Sequence, residues 1–399
     1  MGHITLETAL ALLTEGIAPV GQEEISIRRL PLGRVLAAPV TAGLDQPPFP
    51  RSPLDGYALY AADTVGAERE NPIVLSVSGR LCAGDSPMER KQERGQAVRI
   101  MTGAPIPPDC DCVMAQEDTD YGENRVSLYR TLKPYQNYVF RGEDFRKGEE
   151  LLPRGYALNP EALAAIAGGG RDRVTVYRRP RVAVVATGDE LLAPEQPLAP
   201  GKIYNSSLYY LQGRLVQLGA EVTSVSQVGD RTDAIAHAVK QAAAQADLVL
   251  TTGGVSVGQR DLLPQVMENL GAERIFHGVD LKPGSPALFT KLDGVPALSL
   301  SGNPFAAAAT LEILARPLLL ALAGREKEEE QTAVLAEDFP KGAPVPRFVR
   351  ANCRGGRVYL PRGHSSGEIL SMVDCNCLAK LPAAVGGIPA GTKVPVIML

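Results

Sequence analysis

The sequence predicts a multidomain α/β and β protein: a central parallel α/β domain, β-rich N-terminal domains and a small C-terminal β-barrel domain. Three observations carry that expectation. From Arg181 onward, apolar runs of strand length alternate with helical patterns, which implies a parallel sheet covered on both faces. Before that region, short strands are broken by proline and glycine. After the charged run Arg325-Glu-Lys-Glu-Glu-Glu330, short strands return around a Gly355-Gly356 hairpin turn.

Taken in order, residues 5–15 read as an amphipathic helix, with Leu6, Leu10 and Leu13 at helical spacing and Thr5 as its cap. Leu44-Asp-Gln-Pro-Pro-Phe-Pro-Arg-Ser-Pro-Leu-Asp-Gly-Tyr57 is too rich in proline for a helix and reads as a rigid extended loop. Taken alone, Asp55 within it belongs to a favoured Asp-Gly turn. Strands follow at Ile73–Val77, Gln96–Ile100 and Val113–Gln116, and Thr102-Gly-Ala-Pro-Ile-Pro107 is a second rigid turn. Acidic residues gather where strands end, at Glu117-Asp118 and in Arg141-Gly-Glu-Asp144; the latter suits a polar cleft. Asn159-Pro160-Glu161 has the order of cap, first-turn proline and early acid, opening a helix that stops at Gly168-Gly-Gly170.

Beyond that boundary, strands are predicted at Val182–Thr187, Glu221–Val228 and Leu248–Thr252, and near Ile275 and Leu298. Helices are predicted at Ser206–Leu218, Asp230–Gln245, after Asp261 and from Pro304. Ligands of such sheets sit at the carboxyl ends of the strands. The residues there are Thr187-Gly-Asp-Glu190, Gly229-Asp230, Gly253-Gly254 with Ser256 and Asp261, Lys282-Pro-Gly284 and Ser301-Gly-Asn-Pro304. Glycine turns let backbone amides approach an anion, and Asn303-Pro304 reads as the cap and first residue of the last helix. Carboxylates together with a phosphate are the usual way to hold Mg²⁺, so the set points to a phosphorylated ligand with a hard divalent metal. The competing reading, acids that merely cap helices, covers Asp230 and Asp261 singly but not the whole set.

Composition narrows the alternatives. A chain of 399 residues holds two to four domains, and 45% hydrophobic with 22% charged residues is ordinary for a soluble globular protein. A net charge of −4 gives no bulk attraction for nucleic acid or membrane, so an anion needs a local site. Met1-Gly-His-Ile-Thr-Leu6 lacks both a signal-peptide pattern and a myristoylation pattern. The most apolar segment, Phe305–Ala323, is interrupted by Glu312, Arg316 and Pro317, which argues against a membrane span. A cytoplasmic protein is expected. Cys110/Cys112 and Cys375/Cys377 are spaced too tightly for the usual zinc pairs, so reduced thiols are expected. His3, His237, His277 and His364 are scattered without a paired nucleophile, which disfavours a Ser-His-Asp hydrolase.

One ordered set of segments goes further. Ser52-Pro-Leu-Asp-Gly-Tyr-Ala58, Arg99-Ile-Met-Thr-Gly-Ala-Pro105, Gln116-Glu117, Arg141-Gly-Glu-Asp144 and Ala186-Thr-Gly-Asp-Glu-Leu191 are followed by Thr252-Gly-Gly-Val-Ser-Val-Gly258 with Asp261, Leu281-Lys-Pro-Gly284 and Gly302-Asn-Pro304. Together they resemble the MoeA proteins and the matching domain of gephyrin, across essentially the whole chain. The resemblance implies a molybdopterin molybdenumtransferase, which takes adenylylated molybdopterin and molybdate, uses Mg²⁺, and releases molybdenum cofactor and AMP. It implies a MogA-like α/β domain at 179–328, an extended dimerisation part at 1–45 with 146–178, a small β-rich domain at 46–145 and a barrel at 329–399. It also implies an elongated homodimer whose active site joins the α/β domain of one chain to the Asp-Gly-Tyr loop of the other. Transient contact with the adenylylating enzyme is a further implication.

By position, Asp55, Thr102, Glu117, Asp144, Glu190 and Lys282 take catalytic places, with Lys282 suited to stabilise an oxyanion. Gly253, Gly254, Ser256, Ser285, Ser301, Gly302, Asn303 and Pro304 take substrate-binding places. Asp189, Glu190, Asp230 and Asp261 are the candidate metal carboxylates. The family stretch Lys-Pro-Gly-Lys-Pro is here Lys282-Pro-Gly-Ser285-Pro286, the usual Pro-Gly-Asn-Pro is Ser301-Gly-Asn-Pro304, and Asn205 stands where Asp is common. Losing a lysine beside a bound oxyanion removes ~1–3 kcal/mol of attraction. Two other readings therefore compete with metal insertion: adenylyl transfer to the same pterin, which the extra β-rich domains and the Asp55 loop oppose, and a non-catalytic paralogue that binds the pterin as a scaffold.

Overall fold

The computed structural model describes every residue except Met1, residues 89–91, Val257, Gln259, Arg260, Arg362 and His364. Val257 of the glycine-turn stretch and His364, both named above, therefore lie outside the described residues. The chain divides into two compact units. One comprises Met1–Glu23, Gly33–Ala37 and Thr175–Leu399, and the other Glu24–Leu32 and Ala38–Val174.

The larger unit is built on a six-stranded sheet. Its order is Glu221–Val228, Arg181–Thr187, Leu248–Thr252, Val295–Leu300, Leu288–Leu292 and Glu273–His277. The first four strands are parallel, as their alternation with helical patterns predicts. The last two extend the sheet antiparallel, which the sequence reading did not foresee. The cause is the two-residue turn Asp293-Gly294, with φ of 51° and 82°, which reverses the chain into a hairpin instead of a helical crossover.

Alternate strand residues feed two cores. Val182, Val184, Leu248, Leu250 and Leu298 pack under helices Leu6–Thr14, Ser206–Gln217 and the segment from Pro304. Ala183, Val185, Val249 and Ala297 pack under Thr232–Ala243 and Leu263–Asn269. Thr5 caps the first helix, its hydroxyl accepting from the Thr8 amide at 3.2 Å.

The helix Pro304–Leu322 is long and apolar enough to cross a membrane, but most of it is buried inside the protein. It is the core helix. A π-turn at Leu311–Ala315 lets it continue past Pro317, whose nitrogen carries no proton to donate. Gln331–Leu335, Arg357–Tyr359, Arg347–Arg354, Cys377–Leu381 and Lys393–Met398 then close a five-stranded barrel. The Gly355-Gly356 turn joins two of its strands as predicted.

The smaller unit carries a second sheet, ordered Cys112–Ala115, Gly56–Leu59, Gln96–Ile100, Ile73–Leu81 and Arg125–Leu128, with an apolar cluster on each face. Its helix Pro160–Gly168 begins where Asn159 accepts from the Ala162 amide at 2.7 Å, as the cap pattern predicts. All six cysteines are free thiols, and burial pushes Cys110 and Cys377 up to about 12.

Candidate functional site

Four parallel strands of the larger unit end on one edge, and their following loops touch there. Gly253 adopts φ 91°, and a Cβ on it would lie 2.3 Å from the Thr187 carbonyl oxygen. A Cβ on Gly302 would meet Gly253 Cα at 3.3 Å. The Thr252 hydroxyl donates to the Ser301 carbonyl at 3.0 Å, and the Gly253 amide to Leu300 at 3.3 Å. Glycine is required at these crossings because three backbones meet with no room for a side chain. The sheet thus brings Thr187, Gly253, Gly254, Ser301 and Gly302 into one group, with Ser256 exposed nearby in sequence.

Beside this group sits a carboxylate pair. The Asp230 amide donates to Asp189 Oδ1 at 3.0 Å, and the Asp189 amide donates to Asp230 Oδ2 at 3.3 Å. A Cβ on Gly229 would lie 2.7 Å from Asp189 Oδ1, and one on Gly188 would lie 2.7 Å from the Glu190 carboxylate. Asp189, Glu190 and Asp230 therefore occupy the edge together.

Asp261 Oδ2 accepts from the Gly258 amide at 2.7 Å. Among the described residues, no group of three or more His, Cys, Asp and Glu side chains is spaced to hold a metal ion. Helix capping does not explain these acids either. Arg231 is the cap residue of Thr232–Ala243 and Leu262 that of Leu263–Asn269, neither through a side chain.

Two expectations need correction. Asn303 stands at the cap position of the last helix, but its side chain makes no capping bond; the Ser301 hydroxyl accepts from the Asn303 amide instead, at 3.4 Å. The next free amide, that of Phe305, is already taken by the Ser366 carbonyl at 3.0 Å. The helix start is thus partly occupied by the chain itself. Asn205, by contrast, has a clear structural task. It is buried, accepts from the Leu208 amide at 3.2 Å and donates to Gln227 Oε1 at 2.9 Å.

The loop after Glu273–His277 leaves on the same edge, because that strand runs parallel to Val295–Leu300 across their common antiparallel neighbour. Lys282 is exposed, while its amide and carbonyl bond to Pro346 and Phe348 of the barrel at 2.9 and 2.7 Å. Gly284, at φ 95°, packs where a Cβ would meet Thr310 Cγ2 at 2.2 Å. Ser285 is half-buried, its carbonyl accepting from the Val279 amide at 2.8 Å.

The sequence reading missed Arg350. It is 1% exposed, and its guanidinium lies 4.3 Å from the ring centroid of Phe305, two residues beyond Asn303. Nη2 donates to the Gly363 and Ser365 carbonyls at 3.2 and 2.9 Å and to Glu368 Oε2 at 3.2 Å. Nε and Nη1 are buried with no hydrogen-bond partner among the described residues. Burial lowers its pKa, an effect that Glu368 opposes. A buried guanidinium with two unused N–H groups is set up for an anion. The only sequence signal was an arginine alternating with Phe348 in an apolar strand, Arg347-Phe-Val-Arg-Ala351.

The smaller unit holds the remaining candidates. Asp55 Oδ1 accepts from both the amide and the hydroxyl of Thr102, each at 2.7 Å. Those two bonds hold its carboxyl below the ordinary carboxylate range. Gly56 is not a left-handed turn residue; it opens a strand, and a Cβ there would lie 1.8 Å from the Met114 carbonyl oxygen. The Gln116 amide donates to the Asp55 carbonyl at 3.1 Å, which brings exposed Glu117 beside the pair. In the Arg141–Asp144 stretch, Arg141 pairs with Asp45 at 2.5 Å and Glu143 accepts from the Phe140 amide at 2.6 Å. Asp144 alone keeps an exposed carboxylate with no bonding partner among the described residues.

Comparison with known proteins gives a consistent result. Residues 4–170 match the MoeA N-terminal region (domain I and II), 183–321 a probable molybdopterin binding domain, and 332–399 the MoeA C-terminal region (domain IV). A Bacillus subtilis protein named molybdopterin molybdenumtransferase is 37% identical over 378 residues, 92% of this chain and 88% of the relative. One of the same name from Staphylococcus epidermidis is 36% identical over 373 residues, 92% and 89% of the two chains. The crystal structure of a molybdopterin biosynthesis MoeA protein from Pyrococcus horikosii superposes with a TM-score of 0.87 at 30% identity, covering 100% of this chain and 99% of that one.

Proposed function

This chain belongs to the MoeA family, and from that premise we propose that it inserts molybdenum from molybdate into adenylylated molybdopterin, releasing AMP. The observation that most supports the reading is the shared edge. Touching glycine turns lie beside Asp189, Glu190 and Asp230, while Lys282 leaves on the same edge. Backbone amides and cations bind the anionic parts of such a substrate, and the carboxylates suit a divalent cation. The protein works in the cytoplasm as a homodimer and meets the adenylylating enzyme transiently. Its working parts are residues 1–45 with 146–178, 46–145, 179–328 and 329–399.

The donor set fits Mg²⁺ of one kind. Asp189 and Asp230 each accept from the other's amide, among the described residues no group of three such ligands gathers, and Mg²⁺ is commonly held by one or two carboxylates plus substrate phosphates and water. When bound there, the ion neutralises charge on the adenylyl diphosphate. Asp189 and Asp230 would hold it, with Glu190 at hand to orient water. Asp261, whose Oδ2 accepts from the Gly258 amide, keeps its second carboxylate oxygen for the ion or its waters. Lys282 binds oxyanion charge, and Arg350 contributes the buried cation that Ser285 does not.

AMP release from adenylylated molybdopterin is the test, titrating molybdate and then tungstate with Mg²⁺ present. Oxyanion-dependent release is expected. Ligand binding without release would instead favour the scaffold reading, for which Ser285 and Ser301 are the arguments. A second experiment addresses the missing lysine. Ser285→Lys is expected to lower half-saturating molybdate about tenfold, as one added short-range charge contact would. An unchanged molybdate dependence would place the oxyanion away from Ser285.

A further inference from the structure

A strap between Asp189 and Asn205 contains a lysine that none of the readings above uses. Leu191–Leu192 and Ile203–Tyr204 pair as two short strands, the Ile203 amide donating to Glu190 O at 2.8 Å and the Asn205 amide to Leu192 O at 2.9 Å. Lys202 lies between them, in the turn just before Ile203, its amide bonded to Ala199 O at 3.1 Å. Its side chain turns back to the sheet edge, where Nζ donates to the Asp189 carbonyl at 2.5 Å.

That contact sets a cation at the carboxylate group without neutralising it. Lys202 is half-buried, and among the described residues it makes no ion pair with any carboxylate. An ammonium has three donors in a compact head, and one is spent on a neutral carbonyl. Asp189, Glu190 and Asp230 stand at the same edge. A phosphorylated ligand approaching three carboxylates meets repulsion that a positioned ammonium relieves.

We propose that Lys202 is a binding residue for a phosphate group, donating to a phosphoryl oxygen of the ligand while its bond to the Asp189 carbonyl keeps it at the edge. The inference rests on the reading that this edge takes an adenylylated substrate. It deepens that reading by naming the side chain that recognises the phosphate. Substrate affinity rather than the chemical step is what Lys202 sets, because a cation bonded to an unreacting phosphoryl oxygen acts equally before and during reaction.

The experiment uses the full chain, with AMP as the probe, in calorimetric titrations at low and high salt. Lys202→Gln keeps an N–H donor for the Asp189 carbonyl and removes the charge, whereas Lys202→Arg keeps both. The expected result is AMP binding about tenfold weaker in Lys202→Gln, with a flatter salt dependence, and near-normal binding in Lys202→Arg. In turnover, KM for the adenylylated substrate rises in Lys202→Gln while kcat stays within about twofold. Equal AMP affinity in wild type and Lys202→Gln overturns the proposal and leaves Lys202 a clasp for the strap. Wild-type protein that neither binds AMP nor releases it overturns the functional reading, and the role of Lys202 with it.

Discussion

An equimolar mixture of Asp55→Asn and Asp230→Asn chains is expected to recover about a quarter of wild-type AMP release, as two-fold symmetric dimers assembling at random would. Each variant alone is expected to release almost none. The reasoning starts from where the candidates lie. Asp55, Thr102, Glu117 and Asp144 belong to one compact unit, and Asp189, Glu190, Asp230 and Lys282 to the other. Neither unit alone carries the whole set, and we propose that two copies of the chain complete it. Half of randomly mixed dimers then combine the two variants, and each such dimer has one site free of either change.

The asparagines are chosen so that local structure survives. Asn at 55 still accepts from the Thr102 amide and hydroxyl, and Asn at 230 still accepts from the Asp189 amide. Only charge is lost. Chains carrying different tags would verify that mixed dimers form. Mixed dimers without activity would assign all the catalytic groups to one chain.

Much of the larger unit was legible because burial imposes simple patterns. Glu221–Val228 and Leu248–Thr252 end where the sequence reading ends them, because Gly229-Asp230 and Gly253-Gly254 interrupt each strand pattern. Leu288–Leu292 was not recognised. Its apolar run is short, and the Asp293-Gly294 turn that pairs it lay among stronger signals. The helix ends were harder still. A pattern of Asp or Asn before a helix suggests capping, yet Asp230 bonds across to Asp189, Asp261 bonds within its own turn, and Asn303 donates only its backbone amide. These bonds depend on which loops meet in space. Spacing along the chain does not record that. Arg350 was missed for the same reason, since only the packing of a barrel strand against Phe305 makes its guanidinium a buried group.

Glu312→Gln is expected to destabilise the larger unit by about 3–5 kcal/mol, the loss seen when one partner of a buried ion pair is removed. Glu312 is fully buried in the π-turn of the core helix, and it receives two arginines. Arg214 Nε and Nη2 bond its two oxygens at 2.5 and 3.1 Å, and Arg316 Nη1 bonds Oε2 at 3.2 Å. Arg316 also reaches the Met398 carbonyl at 2.6 Å and the Glu328 carboxylate. The amide of glutamine retains one acceptor, so Gln at 312 leaves two mostly buried guanidinium groups sharing a neutral partner. Urea unfolding would measure the loss, and a change below about 1 kcal/mol would mean the two arginines find water or other acceptors.

The companion variant, Arg214→Met, Glu312→Leu and Arg316→Met together, separates charge from packing. It removes every buried charge of the triad, and its stability is expected to return close to wild type because no ion is left uncompensated. If the triple variant stays as unstable as Glu312→Gln, the network contributes through shape, joining the core helix to the last barrel strand and to the linker at Glu328. If it recovers, the triad adds little net stability to the α/β core, and the loss in Glu312→Gln is the cost of leaving buried guanidinium groups without a countercharge.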